Sequence, residues 1–359
     1  MQKNNKKILF TGGGTAGHVV PNLVLMRHLK AEGYDVFYIG SKNSIEQKLV
    51  AKNGVPFFTV TVGKLRRYFS FKNFIDPFKI IYGAVEAFFL LGKIEPQLVF
   101  SKGGFVTFPV VVAAWLRRIP IIIHESDLTI GLANKLCFPF ANKICVAFAD
   151  TAKAIKNKNK IVITGIPVRA QFFDGNIARG LELCGFSAEK KVLLFFGGSL
   201  GAVAINNVVY ELLPELLEKW QVVHVCGEGK LNHDFDELKG YKQFEYLYED
   251  FPHIIAAANL VISRAGANTI YELITLKKPS ILIPLGTEFS RGDQVLNAQY
   301  CKKNNFSLII NSHELTKEVL LNKIIEAGNS AEKISAALQK VSAPDSVTLI
   351  CSLIKQVLV

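Results

Sequence analysis

The sequence predicts an α/β protein made of two doubly wound domains, each built around a parallel sheet. Short β-rich runs alternate with helical stretches along the 359 residues. The runs are continuously apolar, which is typical of parallel strands covered on both faces. They form two consecutive series, and a domain holds roughly 100–200 residues. We expect a first domain over 1–165, a second over 166–345, and a final helix over 346–359 that can pack back on the first.

The predicted strands define where ligands should bind. The first series comprises 6–11, 35–40, 57–62, 98–101, 119–124, 143–148 and 160–164, and the second comprises 190–196, 222–226, 244–248, 260–264, 279–284 and 306–310. The stretches between them have helical spacing and end at glycine. In doubly wound folds, ligands bind beyond the carboxyl ends of the strands, so the residues that follow each strand are the candidates for function.

Composition excludes a disordered chain and predicts neither a membrane span nor secretion. Half of the residues are hydrophobic and a fifth are charged, which is an ordinary globular balance. The longest uncharged run in the apolar centre, 103–116, has 14 residues, fewer than the roughly 20 that a span needs. The basic start is followed by an apolar run that breaks at once into glycines, unlike a signal peptide. The six cysteines have no metal-binding spacing and fit buried thiols in a reducing cytoplasm.

The net charge of +12 is concentrated in one half. Residues 1–165 carry +14 and residues 166–359 carry −2. A strongly basic half predicts a polyanionic partner, which composition alone leaves open between nucleic acid, an anionic membrane and phosphate-bearing ligands.

Three glycine-rich turns follow predicted strands. They are GGGTAGH (12–18), SKGGF (101–105) and GGSLGA (197–202). Glycine lets backbone N–H groups approach an anion, and the helix that follows adds its positive end. The first turn also matches the dinucleotide pattern GxGxxG, but strand two ends in Gly40-Ser41-Lys42 and lacks the acid that would hold ribose. Together the three turns favour phosphate or diphosphate binding.

Two further segments suit a nucleotide sugar. In SRAGANTIYE (263–272) a helix start can receive a phosphate, and Glu272 can accept from ribose hydroxyls. In SRGDQVLNA (290–298), Asp293 and Gln294 can bind sugar hydroxyls, although each segment alone also fits an ordinary helix start. A DxD pair within HDFD (233–236) fits a solvated face better than a manganese site.

Taken in this order, the segments resemble the MurG family of bacterial N-acetylglucosaminyltransferases. The resemblance covers nearly the whole chain and rests on GGGTAGH (12–18), SKGGFVTFP (101–109), HESDLTIGLANK (124–135), GIPVR (165–169), GGSLGA (197–202), SRAGANTIYEL (263–273) and GDQVLNA (292–298). It is similar to the Gram-positive variant. Many other members have glycine before the GG pair and Gln-Asn after His-Glu, where this chain has Lys102, Ser126 and Asp127.

The resemblance implies a GT-B fold, with two facing Rossmann-like domains. It implies transfer of GlcNAc from UDP-GlcNAc to the 4-hydroxyl of MurNAc-pentapeptide in lipid I, with inversion and without a metal or other cofactor. The product would be lipid II for peptidoglycan, which links the protein to cell wall synthesis, cell shape and division. The enzyme would work as a peripheral protein on the cytoplasmic face of the cell membrane, with no nucleic-acid partner.

The resemblance also implies roles for individual residues. Donor contacts would come from Arg169, Ser199, Tyr248, Asn268, Thr269, Glu272, Asp293 and Gln294, and acceptor-diphosphate contacts from Gly14, Thr15, Gly17, Gly103, Gly104 and Asn134. His18 is the leading candidate for the general base, because imidazole titrates near neutral pH. His124 and Glu125 are the second candidate pair, as base or as positioning groups.

The segment 64–79 mixes aromatic and basic residues. Its membrane candidates are Arg66, Arg67, Phe69, Phe71, Phe74 and Phe78. Interfacial segments have this composition, and positive charge suits anionic lipid. A core-facing helix with a solvated basic side fits the pattern equally well, and aromatic residues beside basic ones also bind single-stranded nucleic acid. The charge of the first half and the family resemblance favour a membrane.

Three alternatives to lipid II synthesis stay open at this level. The first is another GT-B glycosyltransferase acting on a membrane lipid. The second is a UDP-GlcNAc 2-epimerase, which would turn over its substrate without an acceptor. The third is a non-catalytic protein that binds the nucleotide sugar.

Overall fold

The chain forms two compact units. The structure is a computed structural model that describes residues 6–63, 72–198, 201–286 and 292–358, with only the backbone described for 72–75. The first unit comprises Met1–Val168 and Pro344–Val359, and the second comprises Arg169–Ala343. Among the described residues, no helix combines the length and apolar character needed to cross a bilayer.

The first unit contains a seven-stranded sheet in the order β3-β2-β1-β4-β5-β6-β7. Its strands are β1 Lys7–Thr11, β2 Asp35–Gly40, β3 Phe57–Thr59, β4 Leu98–Ser101, β5 Ile121–Glu125, β6 Lys143–Val146 and β7 Ile161–Ile163. Its helices include α1 Ala16–Ala31, α2 Ile45–Lys52, α3 Lys72–Ile94, α4 Thr107–Leu116, α5 Leu132–Cys137 and α6 Ala149–Ala154. Short 3₁₀ turns lie at Phe138–Phe140 and Lys158–Lys160.

The second unit contains a six-stranded sheet in the order β10-β9-β8-β11-β12-β13. Its strands are β8 Lys191–Phe196, β9 Trp220–Val225, β10 Tyr241–Phe244, β11 Leu260–Ser263, β12 Ser280–Leu282 and β13 Ser307–Ile309. Its helices are α7 Ile177–Cys184, α8 Val203–Lys219, α9 Phe251–Ala257, α10 Ala267–Thr275, α11 Asp293–Lys303, α12 Lys317–Asn329 and α13 Ala331–Gln339. Short 3₁₀ turns lie at Ala170–Asp174, His233–Phe235 and Ser312–Glu314.

The last helix, α14 Ser346–Val357, packs in the first unit. Its fully buried Ile350 and Ile354 share a hydrophobic cluster with Ile8 and Phe10 of β1. The helix lies beside α1, and its amphipathic spacing is therefore used against the first sheet.

The predicted parallel sheets are confirmed, because every strand pair in both sheets is parallel. One strand was predicted in the wrong place. The aromatic run 244–248 suggested β10, but the strand is Tyr241–Phe244. Tyr241 is buried and pairs with Val222 of β9. The later Tyr246 and Tyr248 are more than two-fifths exposed, so their bulk does not reflect burial in a strand.

Each sheet reverses its strand order once. The reversal lies between β1 and β4 in the first unit and between β8 and β11 in the second. Loops that leave two adjacent strands in opposite directions open a crevice at this point, which is the usual ligand site of doubly wound folds. The loops following these four strands are the glycine turns 12–18, 101–105 and 197–202 and the segment 263–272.

Candidate functional site

In the first unit, the two glycine loops interlock. The backbone N–H of Gly13 donates to the oxygen of Gly103 at 3.1 Å. Gly103 and Gly104 both have φ of +94°, which favours glycine, and a side chain on Gly104 would collide with the backbone of Gly13. This close contact brings the predicted acceptor residues of both loops together at the carboxyl ends of the strands. Gly14, Thr15 and Gly17 are on its exposed side.

A buried carboxylate supports the first loop. Glu46, in the first turn of α2, has no exposed surface. It accepts from the backbone N–H of Gly14 at 3.3 Å and of Ser41 at 3.2 Å, and from the Ser41 hydroxyl. Glu46 was not among the predicted site residues, because the acid of a dinucleotide site is expected at the end of strand two. The available signal was a glutamate shortly after Ser41 at a helix start.

His18 lies half-buried in the first turn of α1. Its Nδ1 atom is 2.9 Å from the oxygen of Gly13 and 3.1 Å from the hydroxyl of Thr15. A carbonyl oxygen can only accept, so Nδ1 carries the hydrogen in the neutral ring. This tautomer has its lone pair on Nε2, which is the electronic arrangement that a general base needs.

His124 is in a different environment, within the first sheet. It is fully buried near the end of β5, and its Nε2 is 2.8 Å from the oxygen of Gly165. Its Nδ1 is 3.0 Å from Nζ of Lys102, which also contacts the Ser126 hydroxyl. Burial, together with the Lys102 charge, holds the pKa of His124 well below its usual value. The ring is therefore neutral, donating through Nε2 and accepting at Nδ1.

Glu125 organises the loop after β5. One of its carboxylate oxygens accepts from the N–H of Asp127 at 3.1 Å. The other accepts from the N–H of Gly131 at 2.9 Å and from the amide of Asn134 at 3.0 Å. Asn134 is buried, and its side chain lies where a Cβ on Gly103 would point. The structure therefore brings Glu125, His124 and Asn134 together beneath the second glycine loop.

In the second unit, Arg169 and Glu272 lie in one aromatic-lined cluster. The Arg169 guanidinium lies over the Phe172 ring, 4.4 Å from its centre. The rings of Tyr246 and Tyr248 are 4.2 Å apart. Burial raises the pKa of Glu272 to about 7, and the charge of Arg169 opposes this rise. Burial and Tyr248 also raise the pKa of Tyr246 to about 12, against the influence of Arg169. The charge of Arg169 thus acts on both Glu272 and Tyr246, and Tyr246 was not among the predicted site residues.

Two helix starts face the same edge of the second sheet. Helix α10 begins after Gly266 without a side-chain cap, so Asn268 and Thr269 contribute first-turn backbone N–H groups. Helix α11 begins at Asp293. The Gln294 oxygen accepts from the N–H of Leu285 at 3.0 Å. The buried Asn297, another residue missed in the site prediction, donates to the oxygen of Ala265 at 3.2 Å and ties α11 to the loop before α10. Ser199 lies outside the described residues.

The membrane candidates are only partly described. Arg66, Arg67, Phe69 and Phe71, and the side chain of Phe74, lie outside the described residues. Phe78 is 73% exposed. The same helix exposes further large apolar side chains beyond the predicted segment 64–79, namely Ile81, Tyr82, Val85 and Phe89. Their spacing of three, four and seven residues places them on one face of α3.

The HDFD segment is a solvated surface. His233 and Asp236 are 2.8 Å apart, and both are largely exposed. Within the described ranges, no three His, Cys, Asp or Glu side chains are grouped as metal ligands would be.

Comparison with known proteins places both halves of the chain in one family. The N-terminal domain model of glycosyltransferase family 28 matches residues 8–146, and the C-terminal domain model matches 192–350. A relative from Clostridium tetani is named UDP-N-acetylglucosamine–N-acetylmuramyl-(pentapeptide) pyrophosphoryl-undecaprenol N-acetylglucosamine transferase. It is 48% identical over 351 residues, which cover 98% of each chain. A protein of the same name from Lachnoclostridium phytofermentans is 49% identical over 352 residues, covering 98% of this chain and 99% of the relative.

Solved structures share the fold. MurG of Acinetobacter baumannii matches with a TM-score of 0.78 at 23% identity, covering 98% of this chain and 99% of that one. The UDP-GlcNAc 2-epimerase of Neisseria meningitidis matches with a TM-score of 0.64 at 14% identity, covering 97% and 100%. The GT-B fold is therefore confirmed, but fold alone does not separate the two activities. The close relatives do, and the chain belongs to glycosyltransferase family 28 and, within it, to the MurG family of N-acetylglucosaminyltransferases.

Proposed function

We propose that this chain transfers GlcNAc from UDP-GlcNAc to the 4-hydroxyl of MurNAc in lipid I, with inversion and without an essential metal, to give lipid II. The observation that carries the proposal is the near-full-length identity of 48–49% to relatives named for this transfer. The alternatives have weaker support. The epimerase shares only the fold at 14% identity, and a purely binding protein has no need of a base on the first glycine loop.

The second unit binds the donor in this proposal. Arg169 and the first-turn N–H groups of α10 approach the diphosphate, since both offer positive charge. Glu272 accepts from the ribose hydroxyls, and Tyr248 presents backbone groups to uracil. Asp293 and the amide nitrogen of Gln294 contact the GlcNAc hydroxyls, because the Gln294 oxygen already accepts from Leu285. Ser199 completes the diphosphate side.

The first unit binds the acceptor diphosphate. The N–H groups of Gly14, Thr15 and Gly17 line the first loop at a helix start, where an anion is favoured. Gly103 and Gly104 add the second loop, held against the first by the Gly13–Gly103 hydrogen bond. Asn134 lies against Gly103 of that loop and is itself held by a hydrogen bond to Glu125.

His18 serves as the general base. The acceptor 4-oxygen attacks the anomeric carbon, the bond from that carbon to the UDP oxygen breaks, and the hydroxyl proton passes to Nε2 of His18. The Nδ1 hydrogen bond to Gly13 keeps the ring in the required tautomer. His124 is less suited, because both of its nitrogens bond within the protein. The developing negative charge on UDP is stabilised by Arg169 and the α10 start.

The protein acts as a peripheral enzyme at the cytoplasmic face of the cell membrane in this proposal. Lipid I carries a prenyl tail, so the acceptor is presented at a bilayer surface. The exposed apolar face of α3 lies in the half of the chain that carries +14. An apolar helix face beside positive charge suits an anionic membrane surface.

The test is transfer of sugar-labelled UDP-GlcNAc to a short-prenyl lipid I analogue in the presence of EDTA. We expect label in the lipid phase that depends on the acceptor and is insensitive to EDTA. Epimerised donor in the absence of acceptor would instead support the 2-epimerase. Bound but unchanged donor would support a binding protein. Transfer that EDTA abolishes would disprove the metal-independent mechanism while leaving the transferase intact.

A further inference from the structure

Lys102 is a buried lysine between two parts of the acceptor site. Its side chain is only 1% exposed, and it directly precedes the Gly103-Gly104 turn. The backbone N–H of Lys102 donates to the backbone oxygen of Thr11 at 2.9 Å. Its Cβ occupies the space beside Gly12 of the first loop. Burying an ammonium group is costly unless it has partners, so its position requires an explanation.

The ammonium connects three segments of the first unit. Nζ lies 3.0 Å from Nδ1 of His124 and contacts the Ser126 hydroxyl, both at the end of β5. His124 in turn links Lys102 to a third segment, because its Nε2 donates to the backbone oxygen of Gly165. Gly165 lies four residues before Arg169, where the second unit begins. One side chain therefore holds the second glycine loop, the end of β5 and the segment leaving the unit.

The charges around Lys102 come from two strands. Burial lowers its pKa to about 8, while Glu125 at the end of β5, Asp127 just after it and the Cys145 thiol on β6 act to raise it. Burial raises the pKa of Cys145 to about 12, so that thiol is neutral at physiological pH. His124 is neutral as well, for the reason given above. The two carboxylates are thus the charges that keep the ammonium protonated near neutral pH.

We propose that Lys102 is a positioning residue for the acceptor, whose buried ammonium group fixes His124 and Ser126 against the Gly103-Gly104 turn and places a positive charge beneath the loops that bind the acceptor diphosphate. The inference rests on the proposed function, since acceptor binding is its readout. It also gives Ser126 and Asp127 a role. Both help to keep Lys102 charged, which explains why they accompany a lysine at position 102.

The proposal has a distinct pH signature. As pH rises through about 8, Lys102 loses its charge and the acceptor KM should rise. The same titration stabilises the fold, because the unfolded chain holds its proton up to about 10.5 and the folded chain does not. Weaker acceptor binding in this window therefore cannot be unfolding caused by Lys102. The donor KM should not follow the same curve.

The experiment compares Lys102→Met with wild type, using the short-prenyl lipid I analogue at pH 6.5 to 9.5. Methionine keeps most of the volume and removes the charge. We expect the acceptor KM to rise about tenfold at pH 7 and its alkaline rise to disappear, with the donor KM unchanged. Lys278→Met is the matched control. Lys278 also has its pKa lowered to about 8 by burial, but it donates to the oxygens of Ala256 and Ala258 in the second unit.

A milder variant keeps the test decisive if Lys102→Met does not fold. Ser126→Ala removes one acceptor from the ammonium, so the alkaline rise in acceptor KM should move to lower pH. An unmoved rise in Ser126→Ala, an unchanged acceptor KM in Lys102→Met, or the same effect in Lys278→Met would overturn the positioning role. Failure of the wild type to transfer label at all would instead overturn the proposed function.

Discussion

The two units share one plan, and each buries a histidine one residue before the end of a strand. His124 on β5 and His224 on β9 are both fully buried. Each lies beside a phenylalanine of the neighbouring strand, with ring centres 6.4 Å from Phe100 and 6.3 Å from Phe195 respectively. Burial lowers the pKa of both, that of His224 to about 3.

Their partners differ in charge. His224 bonds at 3.0 Å to the Tyr241 hydroxyl and at 3.0 Å to the side-chain oxygen of Asn206, both neutral groups. His124 bonds to the ammonium of Lys102. A histidine buried near the carboxyl end of a parallel strand is therefore a neutral structural element in one unit and part of a charged network in the other, although β5 and β9 lie on opposite sides of the point where the strand order reverses. Position in the fold sets burial, while neighbours set the electrostatic role.

The largest expected effect distinguishes the half-buried His18 from the fully buried His124 and His224. His18→Ala should lower kcat by about 10²–10⁴, since it removes the proposed base, with little change in the free energy of unfolding or in the donor KM. Single-turnover rates with the lipid I analogue measure this effect. If more than a tenth of the wild-type rate remains, His18 is not the base, and the comparison must be redrawn around His124.

The second prediction tests the structural histidine. His224→Phe should lower the free energy of unfolding by about 2–4 kcal/mol, because Tyr241 and Asn206 each lose a buried partner. Urea unfolding measures this loss. The exposed His313→Ala serves as the control and should change stability little.

The pH dependence of stability sharpens the same point. The folded state resists protonation of His224 down to about pH 3, while the unfolded chain binds the proton near 6.5. The wild type should therefore lose stability as pH falls below 6.5, and the loss should be smaller in His224→Phe. Equal slopes in the two proteins would show that His224 is not buried neutral.

The third prediction compares a carboxylate of each unit. Glu125 has its oxygens filled by donors of its own loop, whereas Glu272 has a pKa raised to about 7. If ionised Glu272 binds ribose, the donor KM should rise about tenfold between pH 8 and pH 6, as the carboxylate is protonated. Glu272→Gln should raise the donor KM at pH 8 and flatten this dependence, while the exposed Glu182→Gln should do neither. An acceptor KM that changes instead would contradict the assignment.

The smallest effect concerns the outer surfaces. Phe89 on α3 and Ile325 on α12 are both exposed, at 69% and 55%, in different units. Phe89→Ser should reduce partitioning onto vesicles containing anionic lipid several-fold, about what partial burial of one aromatic ring contributes. Co-sedimentation measures the bound fraction. Ile325→Ser should leave it unchanged, and equal losses in both variants would argue against a membrane face on α3.

The sequence by itself determined the architecture and the family. Short apolar runs without alternation are typical of strands covered on both faces, so the parallel sheets were predictable from local pattern. The order of the glycine loops predicted which strand ends carry function, and comparison confirmed the family. At β10 the local pattern and the observed strand differ. The run from Phe244 to Tyr248 has strand composition, but burial of Tyr241 against β9 decided the register.

Tertiary structure alone decided the supporting residues. Glu46, Lys102 and Asn297 each contact a segment more than 20 residues away in sequence, and a polar residue carries no local sign of complete burial. The environments of His18, His124 and His224 were equally hidden. Local sequence shows only that an imidazole is present, and only the packing of neighbouring strands and loops shows which nitrogen donates, which accepts and which charge lies beside it. Hydrogen bonding and desolvation depend on distances of a few ångströms between residues far apart in sequence, and local sequence does not determine those distances.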